Sequence, residues 1–566
     1  MRSALVVLCI GLSACGSKGD TEQAPAAWHP PSHTERPTIP AISFEAIELP
    51  FTHHTGGTDQ RWLPEPMGPG VALFDFDQDH DLDIFFVDGG PLGPDSPGVR
   101  RSVLLRNDGQ LNFVDVTEQA GIRLDGYGQG ACAGDLDGDG DPDLVVTAVE
   151  GQRVFRNDKG RFSDITKGSG LQARTWTDVR GKEHPEWSTG CVFVDVDGDD
   201  WLDLFVGNYV QWSIENDLFT TIDGETKSFT TPTRYPGLSS RLFRNTGKGY
   251  YEDVTVESGV WNPDGKALGV AVVDLNDDGR MDIVVANDTQ PNNLFVNQGD
   301  GLFVDTAQAA GVAYDEHGRA RSGMGVDVVD LQGSTAIAIG NFSREPVSLY
   351  VSGGGGVYTD QSGRRRLSGP TLLPLTFGVR FFDADRDGRQ DLFLANGHLE
   401  PEIERIEENI TYAQALQLFW NDGQQFVEVG AEAGEVFTRN LVARAVASGD
   451  LDNDGDDDLV VGLNGGQALL LRNDSVAAHH WLQVRLEQDG PNKAAIGARV
   501  SVTAGTQTQQ FWVRTGSSYL AQSALLPTIG LGEATVIDKI VVRWPDGTEG
   551  IEQNIPVDTV QIIRRK

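Results

Sequence analysis

Cysteine is scarce in this chain, four in 566 residues, and cations are outnumbered, 45 lysines and arginines against 83 aspartates and glutamates. The formal charge of −38 argues against nucleic acid or an anionic membrane surface as the partner. Cys9 and Cys15 fall in the first 20 residues, so only Cys132 and Cys191 belong to the body of the chain. In an oxidising compartment those two can pair, although simple burial is the commoner fate of scattered cysteines. There is no Gly-Lys phosphate loop, no G-x-S-x-G elbow, no HExxH and no CxxC, and no catalytic constellation is read here. The N-terminal apolar run, Ala4 to Leu12, is too short for a permanent membrane span. Glycine is plentiful, at 68 residues, beside 39% hydrophobic residues. That balance suits many short strands joined by tight turns and predicts an all-β fold.

One nine-residue pattern recurs six times. Acidic or amide side chains stand at positions 1, 3, 5 and 9. The sets are Asp75, Asp77, Asp79 and Asp83; Asp135, Asp137, Asp139 and Asp143; Asp195, Asp197, Asp199 and Asp203. They continue with Asp274, Asn276, Asp278 and Asp282; Asp383, Asp385, Asp387 and Asp391; and Asp450, Asp452, Asp454 and Asp458. Oxygen ligands on alternate residues of a tight loop suit Ca²⁺, a hard cation that takes six to eight oxygens, and predict about six calcium sites. Position 7 would add a backbone carbonyl. Position 6 asks for a positive φ, which Gly140, Gly279, Gly388 and Gly455 supply easily and His80 and Asp200 at some cost. These are not EF-hands, because position 12 is apolar and each loop runs straight into a β-branched stretch such as DLVVTAV. The loops hold 29 of the 83 acidic residues, a density that calls for a cation against self-repulsion.

After each strand–loop–strand comes a second signature, such as LLRNDGQLNFVDVTE, which reads as a third strand, an Asn-Asp-Gly turn and a fourth strand. Four strands per repeat is the anatomy of a propeller blade. Between Asp274 and Asp383 lies room for one more repeat, GMGVDVVDLQGSTAIAIGNF, in which Gln332, Ser334 and Ala338 stand where ligands belong. The expectation is therefore a seven-bladed β-propeller over residues 42–475 with one blade that has lost its calcium. The last repeat stops after ALLLRND, and Ile42 to Glu48 resembles the missing fourth strand. Its insertion there would close the ring and remove a free sheet edge.

The chain begins MRSALVVLCIGLSAC, in which Leu12-Ser13-Ala14-Cys15 resembles a bacterial lipobox. That resemblance implies a signal peptide over residues 1–15, lipidation of Cys15 and export. Gly16 and Ser17, with no Asp after the cysteine, resemble the pattern that goes with the outer membrane. Residues 16–41 read as a flexible tether. The repeats are similar to FG-GAP or VCBS repeats. In the tail, HHWLQVRLEQ, AAIGARVSVTAG, RTGSSYLAQS, IGLG and IDKIVVRWPDG resemble the ASPIC/UnbV domain. Together they resemble the cartilage acidic protein-like family, which implies an extracytoplasmic calcium-binding protein and no established reaction. Read from its own residues, the tail from 476 to 566 is a small antiparallel β-domain, and the turn around Arg514 and Gly516 to Tyr519 reads as structural rather than ligand-binding.

Two insertions break the repeats. Residues 172–188 carry Trp176 and Trp187, and residues 209–240 carry Tyr209, Trp212, Phe219, Phe229 and Tyr235. Such aromatics suit a glycan or protein ligand, or equally the covering of their own blade. His53 and His54 read as a solvated turn, and residues 400–418 as a short amphipathic helix. The resulting expectation is an exported, lipid-anchored calcium-binding module for adhesion or interaction, with a protein or glycan partner at the envelope surface and the membrane touched only through the anchor. By fold analogy alone, a propeller enzyme acting on polysaccharide or a quinone-dependent oxidoreductase is the alternative, and an assembly scaffold the next.

Overall fold

Short, mostly apolar strands buried on both faces form the inner part of the sheets; Asp143–Ala148 and Ser188–Val194 are buried at every position. Such runs have no solvent side and must stack sheet against sheet. The computed structural model describes residues 39–57, 60–90, 92, 101–475 and 479–565. The expected signal peptide, Cys15 and nearly all of the tether lie outside the described residues.

Among the described residues, seven sheets follow one another along the chain, six of four antiparallel strands and the first with four antiparallel strands and a short fifth added in parallel. Their first strands are Val71–Phe74, Gly128–Gly134, Ser188–Val194, Ala267–Val273, Gly323–Asp330, Thr376–Phe382 and Ala443–Gly449. Each packs against the next, and the seventh packs against the first, so the order is cyclic and propeller-like. The strand Phe44–Thr52 completes the seventh sheet by pairing with Gln467–Asn473, from Phe44 opposite Asn473 to Thr52 opposite Gln467. This is the closure that the sequence suggested, with the strand running four residues further.

Several expectations are corrected. Cys132 and Cys191 form a disulfide, with Cα atoms 5.8 Å apart. They sit in the adjacent first strands Gly128–Gly134 and Ser188–Val194, a proximity set by sheet order. The fifth sheet has not merely exchanged its ligands. Its loop is shortened to four residues, with Asp330 paired to Thr335 and Ala338 inside the second strand opposite Asp327. The helix expected over 400–418 does not form. A 3₁₀ turn, Ile403–Arg405, precedes the strand Gln417–Asn421, which the sixth sheet takes as its third strand. His53 is not solvated but only 2% exposed.

The C-terminal strands form two sheets. His480–Glu487 lies between Ile529–Gly532 and Thr559–Arg564, and it pairs in parallel with the latter, so the domain is not purely antiparallel. The second sheet orders Gln507–Trp512, Arg499–Ala504, Val536–Arg543 and Glu549–Pro556. Between the two, residues 515–524 leave the domain and enter the ring. Ala521–Gln522 pairs in parallel with Val71–Ala72. Thr515 bonds both the N–H and the carbonyl of Phe193, Gln522 does the same with Ala133, and Ser518 exchanges backbone bonds with Val326 and receives the N–H of Val379 on its hydroxyl. The segment therefore fills the axis, touching first strands on several sides.

Candidate metal loops and the C-terminal seat

Each of the six Asp-rich loops is built the same way. The carboxylate at position 1 accepts two backbone N–H groups of its own loop. Asp75 receives those of Asp79 and His80 at 3.1 and 3.0 Å, and Asp383 those of Asp387 and Gly388 at 3.1 and 2.8 Å. Position 6 is left-handed throughout, including His80 at φ 80° and Asp200 at φ 72°. The carboxylate at position 9 starts the second strand and accepts one N–H from position 2 and one from an asparagine in the third strand. Asp143 does so with Leu136 at 2.6 Å and Asn157 at 2.6 Å.

Three carboxylates lie together, with one oxygen from each within 4.8 Å of the others, in five of the loops: Asp75, Asp77 and Asp83; Asp135, Asp137 and Asp143; Asp195, Asp197 and Asp199; Asp383, Asp385 and Asp391; and Asp450, Asp452 and Asp454. These clusters can hold a metal ion. Like charges at that spacing repel strongly unless a cation lies between them. Burial pushes Asp83, Asp143 and Asp458 up to about 8, and Asp135 and Asp195 to about 6, against the backbone donors that favour their charged forms. Burial likewise raises Asp203 and Asp391 well above the carboxylate range. One oxygen of Asp77, of Asp197 and of Asp452, the position-3 residues of three loops, is buried with no protein donor. A buried acceptor without a donor is costly, and a bound cation is the group that satisfies it.

The fourth loop differs. Asn276 replaces an acid, its amide nitrogen donates to Asp278 at 3.0 Å, and Arg280 also engages Asp278. In the fifth loop Arg389 engages Asp387 in the same manner. Position 7 thus carries a competing cation in two loops.

The third-strand asparagines are functional residues that motif reading had taken for turn formers. Asn157 donates to the carbonyls of Pro142 in its own loop and Phe76 in the loop of the preceding sheet. Asn107, Asn245, Asn297 and Asn473 reach Leu451, Leu136, Val196 and Ala384 in the same way. The side-chain amide of Asn421 donates to the carbonyl of Gln390 in its own loop but, among the described residues, to no preceding loop, because the preceding hairpin is the shortened one.

All six loops meet the C-terminal domain. In the first, His80 pairs with Arg485 at 2.7 Å; in the second, Gly138 receives Lys493; in the third, Asp200 receives Gln488 at 3.0 Å. In the fourth, Arg499 pairs with Asp277 and Arg543 reaches the carbonyl of Asp278. In the fifth, His479 bonds the carbonyl of Asp385 at 2.7 Å; in the sixth, Gln483 reaches Asp450 and the N–H of Thr528 reaches Asp457. The loop face is therefore the seat of the C-terminal domain.

Trp176, Trp187, Tyr209, Trp212 and Tyr235 of the insertions turn inward, whereas Phe219 is 70% exposed, so the insertions present no joint aromatic patch of those five residues. Trp187, Tyr209, Trp212 and Tyr235 are at most 4% exposed and share one apolar cluster with Tyr519 and Leu520. Trp187 meets Tyr209 edge-on at 5.1 Å, and Tyr209 donates to Asp288 at 2.6 Å. Trp176 stacks on His184 at 4.7 Å and is 8% exposed. Covering the chain's own core is a large apolar gain for such side chains.

Comparison with known proteins agrees with this layout. The FG-GAP-like repeat family matches residues 75–146, 135–206 and 274–334, and the family described as ASPIC and UnbV matches residues 488–566. Cartilage acidic protein 1 of Mus musculus is 26% identical over 515 residues, covering 86% of this chain and 71% of that protein. The Homo sapiens protein is 26% identical over 513 residues, with 86% and 70% covered. Among solved structures, an Agrocybe aegerita lectin recognising non-reducing terminal N-acetylglucosamine covers 64% of this chain and 79% of its own at 16% identity and a TM-score of 0.33. BBS1N in complex with ARL6DN covers 72% and 92% at 11% identity and a TM-score of 0.43. Those two likenesses are too distant to bear on the site. The chain thus shows homology to cartilage acidic protein 1, with FG-GAP-like repeats matched over residues 75–206 and 274–334 and an ASPIC and UnbV match over residues 488–566.

Proposed function

We propose that this chain is an exported calcium-binding interaction module in which calcium is structural. The seven sheets are read as propeller blades, and six of their loops as calcium sites. The observation that carries the reading is that every acidic loop touches the C-terminal domain, while three of them hold a buried carboxylate oxygen with no donor. Calcium would fix these loops in the shape that seats the domain. Extracellular modules of this kind bind calcium at about 10⁻⁴ to 10⁻³ M. The N-terminal lipobox resemblance and the Cys132–Cys191 disulfide support export into an oxidising compartment, with Cys15 as the lipid anchor. Because residues 515–524 fill the axis, where propeller enzymes commonly place chemistry, a binding role is favoured over catalysis.

The test is thermal unfolding of the chain lacking residues 1–15 during calcium titration, with metal content by elemental analysis. About six calcium ions per chain and a stabilisation near 3 kcal/mol per site at a hundredfold excess over Kd are expected. Near-zero calcium with no shift overturns the reading.

A further inference from the structure

On the loop face, six acidic loops meet the C-terminal domain, and at the seventh position the shortened hairpin of the fifth sheet packs on the edge strand Gln507–Trp512. The fifth sheet has four residues between Asp330 and Thr335, where the first sheet has eight between Phe74 and Asp83. The missing length leaves a cleft of about 350 Å³ between this hairpin, the fifth acidic loop and the edge strand Gln507–Trp512. A narrower recess of about 40 Å³ shares Asp330, Gln390, Gln510 and Phe511 with the cleft and leads inward to Arg380, Arg514 and Trp512. The larger volume falls in the range of small-molecule sites, about 300–1,000 Å³.

The cleft is rich in side-chain amides, from Gln332, Gln390, Gln507, Gln509 and Gln510, with the hydroxyls of Thr506 and Thr508 beside them. Gln509 is engaged by the carbonyl of Gly530 at 2.7 Å. Gln390 is only 6% exposed. Trp512 is 6% exposed, and its indole N–H is buried without an acceptor. Both line the recess, and a buried donor like that of Trp512 is normally satisfied.

The charges nearby are already paired inside the protein. Arg389 engages Asp387 and the carbonyl of Asn421. Arg380 and Arg514 both hold Asp327, at 3.3 and 2.6 Å, and Arg380 also donates to Ser448. Asp330 accepts the N–H of Gly333 at 2.6 Å. An anion or a cation would have to displace one of these partners, whereas a neutral ligand would not. A primary amide presents donor and acceptor side by side, which matches neighbouring hydroxyls on a sugar ring.

We propose that this cleft binds a short neutral oligosaccharide. Hydroxyls of the sugar bond the amides of Gln390 and Gln510 and accept from the indole of Trp512, and Gln332 meets the ligand at the mouth. The proposal deepens the interaction-module reading by naming its ligand class and its site.

The test is saturation-transfer NMR of the full chain with maltotriose, cellotriose, triacetylchitotriose and, as an acidic control, trigalacturonate. At least one neutral trisaccharide is expected to receive saturation. Gln510→Ala, and separately the exposed Gln332→Ala, should weaken it about tenfold, the loss of one to two hydrogen bonds, with melting temperature unchanged. No transfer to any neutral trisaccharide, binding unmoved by both variants, or preference for trigalacturonate overturns the proposal. Calcium content measured on the same sample separates the two readings, since a chain that takes up calcium but ignores every sugar retains the first and loses the second.

Discussion

The phenol of Tyr519 donates to the carbonyl of Met67 at 2.8 Å, joining the C-terminal domain to the N-terminal edge of the ring across 452 residues of sequence. Both partners are buried, and the Tyr519 ring meets Phe377 edge-on at 4.8 Å. Tyr519→Phe keeps the ring and removes the donor. It should cost about 1–3 kcal/mol in urea unfolding with an unchanged m-value, most of it the unsatisfied carbonyl. An unaltered midpoint would show that the bond contributes nothing.

One apolar cluster runs from Cys132, Phe193 and Leu204 of the ring to Leu482, Val500 and Trp544 of the C-terminal domain. Ring and domain should therefore unfold together. Tryptophan fluorescence and far-UV circular dichroism are expected to report coincident transitions, and two separated midpoints would mean that the axial segment does not couple them.

Replacing both Asp135 and Asp139 by Ala removes two acids from the second loop, beside Gly138, which Lys493 engages. Calcium content should fall by about one ion per chain, and the calcium-dependent gain in stability by about 3 kcal/mol at a hundredfold excess over Kd. An unchanged calcium-dependent shift would remove this loop from the metal assignment.

The Cys132–Cys191 bond closes a sequence separation of 59 residues. In the chain-entropy picture a loop of that size is worth about 4 kcal/mol. The Cys132→Ala, Cys191→Ala double variant should lose about 2–4 kcal/mol in denaturant unfolding. A loss below about 0.5 kcal/mol would place the two cysteines among ordinary packing residues.

Two buried histidines set an acid limit. Burial, reinforced by Arg444, pulls His53 down to about 3 and His398 to about 4. Their ring nitrogens Nδ1 accept the N–H of Gly465 and of Glu400, at 3.1 and 3.0 Å, so the folded state holds both rings neutral. The unfolded chain protonates them below about 6.5, so it binds more protons there, and stability falls as pH drops from 6.5 toward 4. Each histidine contributes a slope of about 1.4 kcal/mol per pH unit in that window. His53→Gln should flatten the pH dependence of urea stability by about that amount, and parallel curves for variant and parent would refute the assignment.

The repeat and its loops were legible because their information is local. Acids on alternate residues of a turn, an apolar strand on either side and a fixed order recur six times, and the closing strand Phe44–Thr52 copies its counterparts. What stayed hidden depends on neighbours distant in sequence. The pairing of Cys132 with Cys191 needs the stacking of two first strands, and the reach of Asn157 to Phe76 needs the preceding sheet in place. The inward turn of Trp187 and Tyr209 depends on Tyr519 and Leu520 standing in the axis. Residues 400–418 show the same override from the other side. A pattern that suits a helix gives way because Glu400 and Glu402 are held by Arg61 and Gln417–Asn421 is claimed by a sheet.

The strand Phe44–Thr52 has its partner at Gln467–Asn473, more than 400 residues downstream. In a chain threaded from its N-terminus, this early strand waits with an open edge while six whole sheets are made, and the seventh sheet cannot be completed by anything that emerges with it. Until the two ends meet, both edges are templates for a stray strand, from another copy or from elsewhere. The strand Phe44–Thr52 must therefore be kept away from other strands until Gln467–Asn473 is available to cover it.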